Sequence, residues 1–162
     1  MKNWTDKTIT INTDASFCSK TGVGGYAFWI KSDLFTLKEF GAFNQSCLNS
    51  TDAELKCIIN AVARLVSNKD VNFSYVLVIN TDSKGAISWM RNPKNEVAKI
   101  FQFYLKELNA KGYLKTVAYK HVKGHTNVND SRSFVNRWCD EMAGQEMRKQ
   151  RKIQEKIINK NK

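Results

Sequence analysis

The sequence predicts a single α/β domain whose sheet combines antiparallel and parallel strands. Three β-rich segments precede the first helix, at residues 8–13, 26–30 and 35–43. Gly22, Gly24 and Gly25 separate the first two segments, as a hairpin connection requires. Helical and strand segments then alternate, which favours parallel strands joined by crossovers. The chain has 162 residues and no Gly/Ser/Pro-rich linker or repeat, so one domain is expected.

The later elements follow from hydrophobic periodicity. Between Val97 and Leu108 the apolar residues recur at i, i+3, i+4 and i+7, the pattern of an amphipathic helix, and Gly112 is a suitable stop. Pro93 ends the short helix before it or that helix's exit loop. We expect helices over 52–66, 83–90, 97–108 and 134–142, and strands over 75–81 and 116–122. The order is therefore β-β-β-α-β-α-α-β-α.

The composition indicates an anionic partner. Lys and Arg number 26 against 15 for Asp and Glu, a net charge of +11. Such an excess predicts binding to nucleic acid, with an anionic membrane surface as the weaker candidate. No apolar run reaches the ~18–20 residues of a membrane span, and residues 1–6 carry no signal-peptide core. We therefore expect a soluble, cytoplasmic monomer with no membrane association and no obligate protein partner.

The last part of the chain differs in composition from the rest. Residues 145–162 contain seven Lys or Arg and two Glu, so we expect a catalytic domain over 1–144 and a basic tail over 145–162. The tail is either a helical extension or disordered, and it would add sequence-independent attraction to phosphates. Four scattered cysteines lack a C-x-x-C pair, which argues against zinc, and Cys57 and Cys139 are expected to be buried thiols.

Four acidic residues lie where solvated surface is a poor explanation for them. Asp14 follows the alternating first strand, and Asp82 ends the fourth. Glu54 lies in the first turn of an amphipathic helix, and Asp140 is flanked by apolar residues of another. A carboxylate in such a place is costly unless it is paired or binds a metal. Because Mg²⁺ prefers oxygen ligands and paired ions about 3.5–4 Å apart can act on a phosphodiester, the acids predict a divalent-metal site for phosphate chemistry.

Structural roles remain open for two of these acids. Glu54 also fits a capping box with Thr51, in which it would only tie back the start of the helix. Asp82 and Ser83 likewise fit a helix N-cap. Asp14 is harder to explain in this way, since Asp is disfavoured in strands.

Six short motifs occur in the order typical of one family. They are D-A-S at 14–16, G-V-G-G-Y at 22–26, A-E-L at 53–55, T-D-S at 81–83, V-K-G-H at 122–125 and N-R-W-C-D-E-M-A at 136–143. In this order and with all four acids present, the chain resembles a type 1 ribonuclease H. The resemblance implies the RNase H-like fold, a five-stranded mixed sheet of three antiparallel and then two parallel strands, flanked by helices.

The resemblance also implies an activity and roles for the acids. The protein would be a metal-dependent endonuclease that hydrolyses the RNA strand of RNA–DNA hybrids and leaves 5′-phosphate and 3′-hydroxyl ends. Asp14 would bridge two Mg²⁺ ions, for which Mn²⁺ could substitute, and Asp140 would complete the site of the water-activating ion. Glu54 and Asp82 would hold the second ion, and His125 would assist proton transfer or product release.

By the same resemblance, a set of polar residues would contact the hybrid. The segment around Ser16 to Thr21 would follow the minor groove, and Asn136 would steady the last acid or a metal-bound water. The expected substrate contacts are Ser16, Lys20, Ser50, Thr51, Ser83 and Asn136. The chain departs from the family in lacking the basic protrusion after Asp82 and in the longer spacing from His125 to Asp140.

Two alternatives belong to other functional classes. One is another nuclease on the same fold, an exonuclease or a junction resolvase. Proofreading-type exonucleases carry D-x-E on the first strand, whereas residues 14–16 read D-A-S. The other is a non-catalytic hybrid-binding module, which loss of one acid would have favoured.

Overall fold

Residues 7–122 and 131–161, the part of the chain that the computed structural model describes, form five strands and four helices. The strands are β1 (Lys7–Phe17), β2 (Gly24–Lys31), β3 (Thr36–Ala42), β4 (Tyr75–Thr81) and β5 (Leu114–His121). The helices are α1 (Ser50–Ser67), α2 (Lys84–Arg91), α3 (Glu96–Ala110) and α4 (Ser131–Lys160). This is the predicted order of elements.

The sheet has the predicted mixed topology, with strand order β3-β2-β1-β4-β5. β3, β2 and β1 are antiparallel neighbours, whereas β1, β4 and β5 run parallel. β1 extends to Phe17, beyond the predicted end at residue 13, because residues 14–17 still pair with residues 24–27 of β2. The central strand therefore carries Asp14 within its paired length.

Helices cover both faces of the sheet. Alternate residues of β2 point to opposite sides: Phe28 and Ile30 belong to the main core with α1 and α3, while Ala27 and Trp29 pack against α4. In that second cluster α4 contributes Val135, Cys139 and Ala143. The layers therefore press α1 and α4 against opposite sides of the strands that carry the predicted site.

α4 is one continuous helix of 30 residues, about three times the predicted length. The apolar periodicity of the sequence ends near Ala143, but the polar remainder stays helical to Lys160. Residues 145–160 are thus a helical extension. None of the described helices is long and apolar enough to cross a membrane.

Candidate active site

Three acidic side chains meet where the parallel strands end. Asn12 of β1 pairs with Asn80 of β4, so Asp14 and Asp82, each two residues further on, reach the same edge of the sheet. Glu54 comes from α1, four residues after the helix begins at Ser50, and not from its first turn as the sequence suggested. One carboxylate oxygen of each of these three acids lies within 4.8 Å of the others. The sequence-predicted acids from two strands and one helix are therefore brought together.

Glu54 faces β1. Its Oε1 accepts a hydrogen bond from the Ala15 N–H at 3.2 Å, and the same N–H donates to Asp14 Oδ1 at 2.9 Å. The N-cap of α1 is instead Asn49, whose Oδ1 accepts from the Asp52 N–H at 2.8 Å. The capping-box interpretation of Glu54 is therefore wrong, because the N-cap is not Thr51 and the Glu54 carboxylate accepts from β1. The single Ala15 amide orients both carboxylates.

Burial and mutual repulsion make these acids hard to ionise. The pKa of Asp14 is raised from 3.8 to about 8, first by burial and then by the negative charge of Asp82. The pKa of Glu54 is raised well above its usual range, again first by burial and then by the charges of Asp14 and Asp82. Carboxylates in this arrangement are stable as anions only with a compensating positive charge.

The cluster fits a divalent metal ion. Glu54 is 7% exposed, and its Oε2 is buried without a hydrogen bond among the described residues, although an unpaired buried oxygen is costly. Asp82 is more accessible to solvent than Glu54, so the cluster has an open side. Hard oxygen donors with one open side suit Mg²⁺, which keeps part of its water shell. Asp14, Glu54 and Asp82 could hold such an ion.

Asp140 joins this group from α4. Its charge and a side-chain hydrogen bond to Asp14 are further causes of the raised Asp14 pKa, after burial and the charge of Asp82. The neighbouring Cys139 fixes this part of α4, since its thiol donates to the Asn12 carbonyl oxygen of β1 at 3.6 Å. Each of the other three predicted acids thus interacts with Asp14, and the group with oxygens within 4.8 Å of one another consists of Asp14, Glu54 and Asp82.

Sequence and structure comparisons agree with this architecture. The family model for RNase H matches residues 6–148. The chain belongs to the RNase H family. No curated protein sequence gives a significant match to the chain.

Solved structures of RNase H domains share the fold at low identity. The N-terminal RNase H domain of rv2228c from Mycobacterium tuberculosis, solved as a fusion with maltose binding protein, is 16% identical with a TM-score of 0.60, covering 88% of this chain and 94% of that one. LC11-RNase H1, isolated from compost by a metagenomic approach, is 18% identical with a TM-score of 0.61, covering 88% and 96%. The structure of LC11-RNase H1 in complex with RNA/DNA hybrid is 16% identical with a TM-score of 0.65, covering 87% of this chain and 97% of that one.

Beneath this RNase H cluster, one thiol has a role that the sequence did not predict. Cys57 of α1 is fully buried, as expected, but its Sγ also lies 3.3 Å from the carbonyl oxygens of both Asp14 and Ala27. The thiol therefore ties α1 to the backbone of the residue at the centre of the cluster. An apolar helix face in the sequence indicates burial and gives no sign of this contact.

A histidine beside the site was also missed. His121, the last residue of β5, pairs with Thr81, and its Nε2 lies 3.1 Å from the Asp82 carbonyl oxygen. The parallel register of β4 and β5, together with the rarity of His in the chain, could have indicated it. The predicted histidine, His125, lies outside the described residues.

Four of the predicted substrate contacts lie on β1, on the connection that follows it and on α1. Ser16, the second-last residue of β1, pairs with Gly25 of β2. Lys20 is exposed in the connection that follows. Ser50 and Thr51 begin α1, and the Thr51 side chain packs against Gly85 of α2, which brings the two helix starts together.

The other two predicted substrate contacts are Ser83, which caps a helix, and Asn136, which lies near Asp140. Ser83 Oγ accepts from the Ala86 N–H at 3.0 Å and is the N-cap of α2, so the N-cap interpretation holds for Ser83 and not for Asp82. Asn136 is partly buried in α4, one turn before Asp140 and therefore on the same side of the helix.

Proposed function

We propose that this RNase H family member is a metal-dependent endonuclease that hydrolyses the RNA strand of RNA–DNA hybrids, leaving 5′-phosphate and 3′-hydroxyl ends. The observation that carries the proposal is the convergence of Asp14, Glu54 and Asp82, with carboxylate oxygens within 4.8 Å of one another. The net charge of +11 suits a polyanionic substrate. LC11-RNase H1, which shares the fold, has a structure in complex with RNA/DNA hybrid.

The four acids have distinct positions in this proposal. Asp14 interacts with each of the other three, so it would contribute to holding both of two Mg²⁺ ions, for which Mn²⁺ could substitute. Glu54 and Asp82 would complete one ion site, and Asp140 the other. Two bound ions supply a water nucleophile and a positive charge at the leaving oxygen. His125 would assist proton transfer or product release.

Substrate recognition would rest on shape and on the 2′-hydroxyl groups of the RNA strand. Ser16 and Lys20 from the β1–β2 connection, Ser50 and Thr51 from α1, and Asn136 from α4 would provide contacts around the cluster. Ser83 would contribute through its backbone, since its hydroxyl caps α2. We further propose a catalytic domain over 1–144 with a basic extension over 145–162, acting as a cytoplasmic monomer without an obligate partner.

The proposal is tested by incubating labelled RNA–DNA hybrid, double-stranded RNA and double-stranded DNA with the protein, with Mg²⁺ or with EDTA. Metal-dependent internal cutting of the RNA in the hybrid alone is expected. Stepwise shortening from one end would instead indicate an exonuclease, and cutting of branched DNA a resolvase. Hybrid binding without any cleavage would indicate a non-catalytic module.

Substitution of the acids tests the site itself. Asp14→Asn and Asp82→Asn should each abolish cleavage while hybrid binding is largely retained, because both remove metal ligands and leave the basic surface intact. Asp33→Asn is the matched control, since Asp33 is an exposed acid in the β2–β3 connection. Full activity of either cluster variant in Mg²⁺ would refute the assignment of the metal site.

A further inference from the structure

The C-terminal part of α4 leaves the sheet beside the proposed substrate path. Gly25 of β2 lies so close to α4 that an added Cβ would overlap the Ala143 carbonyl oxygen and come within 2.6 Å of the Met147 nitrogen. Gly25 pairs with Ser16, which we place on the hybrid path. The helix therefore crosses the sheet at the strand position that leads into the β1–β2 connection.

The helix stays near this connection for at least one more turn. The pKa of the Cys18 thiol, in the β1–β2 connection, is lowered first by the Thr21 hydroxyl and more weakly by the positive charge of Arg151. Arg151 is partly buried, whereas the residues that follow it on α4 are mostly exposed. The extension thus starts against the loop that includes Lys20 and then projects away from the domain.

The projecting segment is strongly cationic. Residues 148–160 contain six Lys or Arg and one Glu. Arg148, Lys152 and Lys156 are exposed and recur every four residues, so they form one stripe along the helix. The stripe begins eight residues after Asp140, about 12 Å along the axis, and residues 148–160 extend over about 18 Å.

We infer that residues 148–160 of α4 form a cationic arm that binds the phosphates of the hybrid on one side of the cutting site. The inference rests on the proposed function for the identity of the duplex. At roughly 3.4 Å of duplex axis per base pair, an arm of about 18 Å spans about 5 base pairs. Because α4 packs against Gly25, beside the β1–β2 connection, and then continues outward, the arm lengthens the protein's footprint at one end of the hybrid only.

The same segment also presents Ile153, Ile157 and Ile158 to solvent, so an anionic membrane surface is the competing partner. The packing of α4 against Gly25, which pairs with Ser16, favours the hybrid, since it places the start of the arm beside the proposed hybrid path.

The test uses the full-length protein with Arg148, Lys152 and Lys156 all changed to Gln. The control replaces Lys69, Lys106 and Lys115 with Gln. It removes the same charge from exposed positions in the α1–β4 connection, on α3 and near the start of β5. Binding of fluorescent hybrid is measured in EDTA over a salt series. Removing three phosphate contacts should lower the salt slope by about 2–3 and weaken low-salt binding about 10-fold or more.

The control should change affinity by less than about 3-fold, and both variants should melt like the wild type, because all six positions are exposed. Shortening the hybrid by about 5 base pairs, from the length at which wild-type affinity levels off, should reproduce the loss for the wild type and change the affinity of the arm variant little. Equal slopes for the two variants would overturn the inference. So would loss of binding to phosphatidylserine vesicles with hybrid binding unchanged, which would identify a membrane as the partner.

The outcome separates the two proposals. If the wild type cleaves hybrid but the arm variant binds it like the control, only the arm is refuted. If the wild type never cleaves hybrid yet binds it with an arm-dependent slope, the nuclease proposal fails and the arm stands.

Discussion

Replacing Asp14 with Asn should stabilise the metal-free protein, although it removes the central residue of the site. The Asp14 carboxyl group is partly buried beside Glu54 and close to Asp82, and these surroundings disfavour its anion. An Asn side chain is neutral at every pH, and its amide oxygen can still accept from the Ala15 N–H that now bonds Asp14 Oδ1 at 2.9 Å. The variant therefore keeps the local hydrogen bond and loses the repulsion.

The size of the effect follows from proton linkage. The Asp14 pKa is about 8 in the folded protein against a usual value of 3.8, so between these values the folded state binds a proton that the unfolded chain has lost. The free energy of unfolding therefore falls as the pH rises through this window. At about 1.4 kcal/mol per unit the full window corresponds to roughly 6 kcal/mol, and structural relaxation reduces the expected loss to about 1–4 kcal/mol.

The assay is thermal unfolding in EDTA at about pH 5 and about pH 9, on either side of most of this window. For a chain of this size 1 kcal/mol corresponds to about 2–4 °C, so the wild type should lose several degrees at the higher pH. Asp14→Asn should lose less and melt above the wild type there. Added Mg²⁺ should raise the melting temperature of the wild type at high pH and have little effect on the variant.

The exposed Asp33→Asn variant is the control and should behave like the wild type. If the wild type and Asp14→Asn lose equal stability between the two pH values, the carboxylates do not repel one another as the geometry requires. If Mg²⁺ stabilises both proteins equally, the ion binds elsewhere.

Three further predictions, made with five substitutions, test the framework and the proton-transfer role. Gly25→Ala should lower the free energy of unfolding by at least 2 kcal/mol, or the melting temperature by about 4–8 °C, because the new Cβ meets backbone atoms of α4. Gly112→Ala should lower it by only about 1–2 kcal/mol, because a non-glycine residue is strained at the φ of 84°. Equal costs would show that α4 adjusts freely. Cys57→Ala should lower the free energy of unfolding in urea by about 1–3 kcal/mol, since it empties a fully buried site and removes a donor to two carbonyl oxygens, and an unchanged midpoint would contradict that contact. His125→Ala should lower kcat about 100-fold with little change in KM. His121→Ala should lower kcat only a few-fold, since the His121 ring contacts a backbone carbonyl oxygen. The reverse ranking would move the proton-transfer role to His121.

Periodicity predicted the fold well because it records which face of each element is buried. Alternation in the first strands and helical spacing from residue 97 to 108 each located an element within a few residues. The two larger errors concern segments whose ends hydrophobic periodicity does not mark. β1 continues to Phe17 because β2 supplies backbone partners, and α4 continues to Lys160 after its apolar pattern has ended.

The site divides in a similar way. Asp14 and Asp82 could be placed together from the ends of two parallel strands, which is a property of sequence order and topology. The direction in which the Glu54 side chain points could not be predicted, because an acid near the start of a helix fits both metal ligation and a capping box. The distinction needed the position of the N-cap at Asn49 and the Ala15 amide across the layer, and these are tertiary contacts.

The thiols show how the fold can hold a site that opposes folding. Repulsion among the acids acts on the end of β1, where a strand could relieve it by moving away from α1 or α4. Two buried thiols resist that movement from opposite faces: Cys57 of α1 bonds the Asp14 carbonyl oxygen, and Cys139 of α4 bonds the Asn12 carbonyl oxygen. Both thiols therefore help to hold the backbone of β1 near Asp14 before any ion binds. Since a bound cation then removes the repulsion without moving the backbone, metal affinity and the free energy of unfolding should rise together.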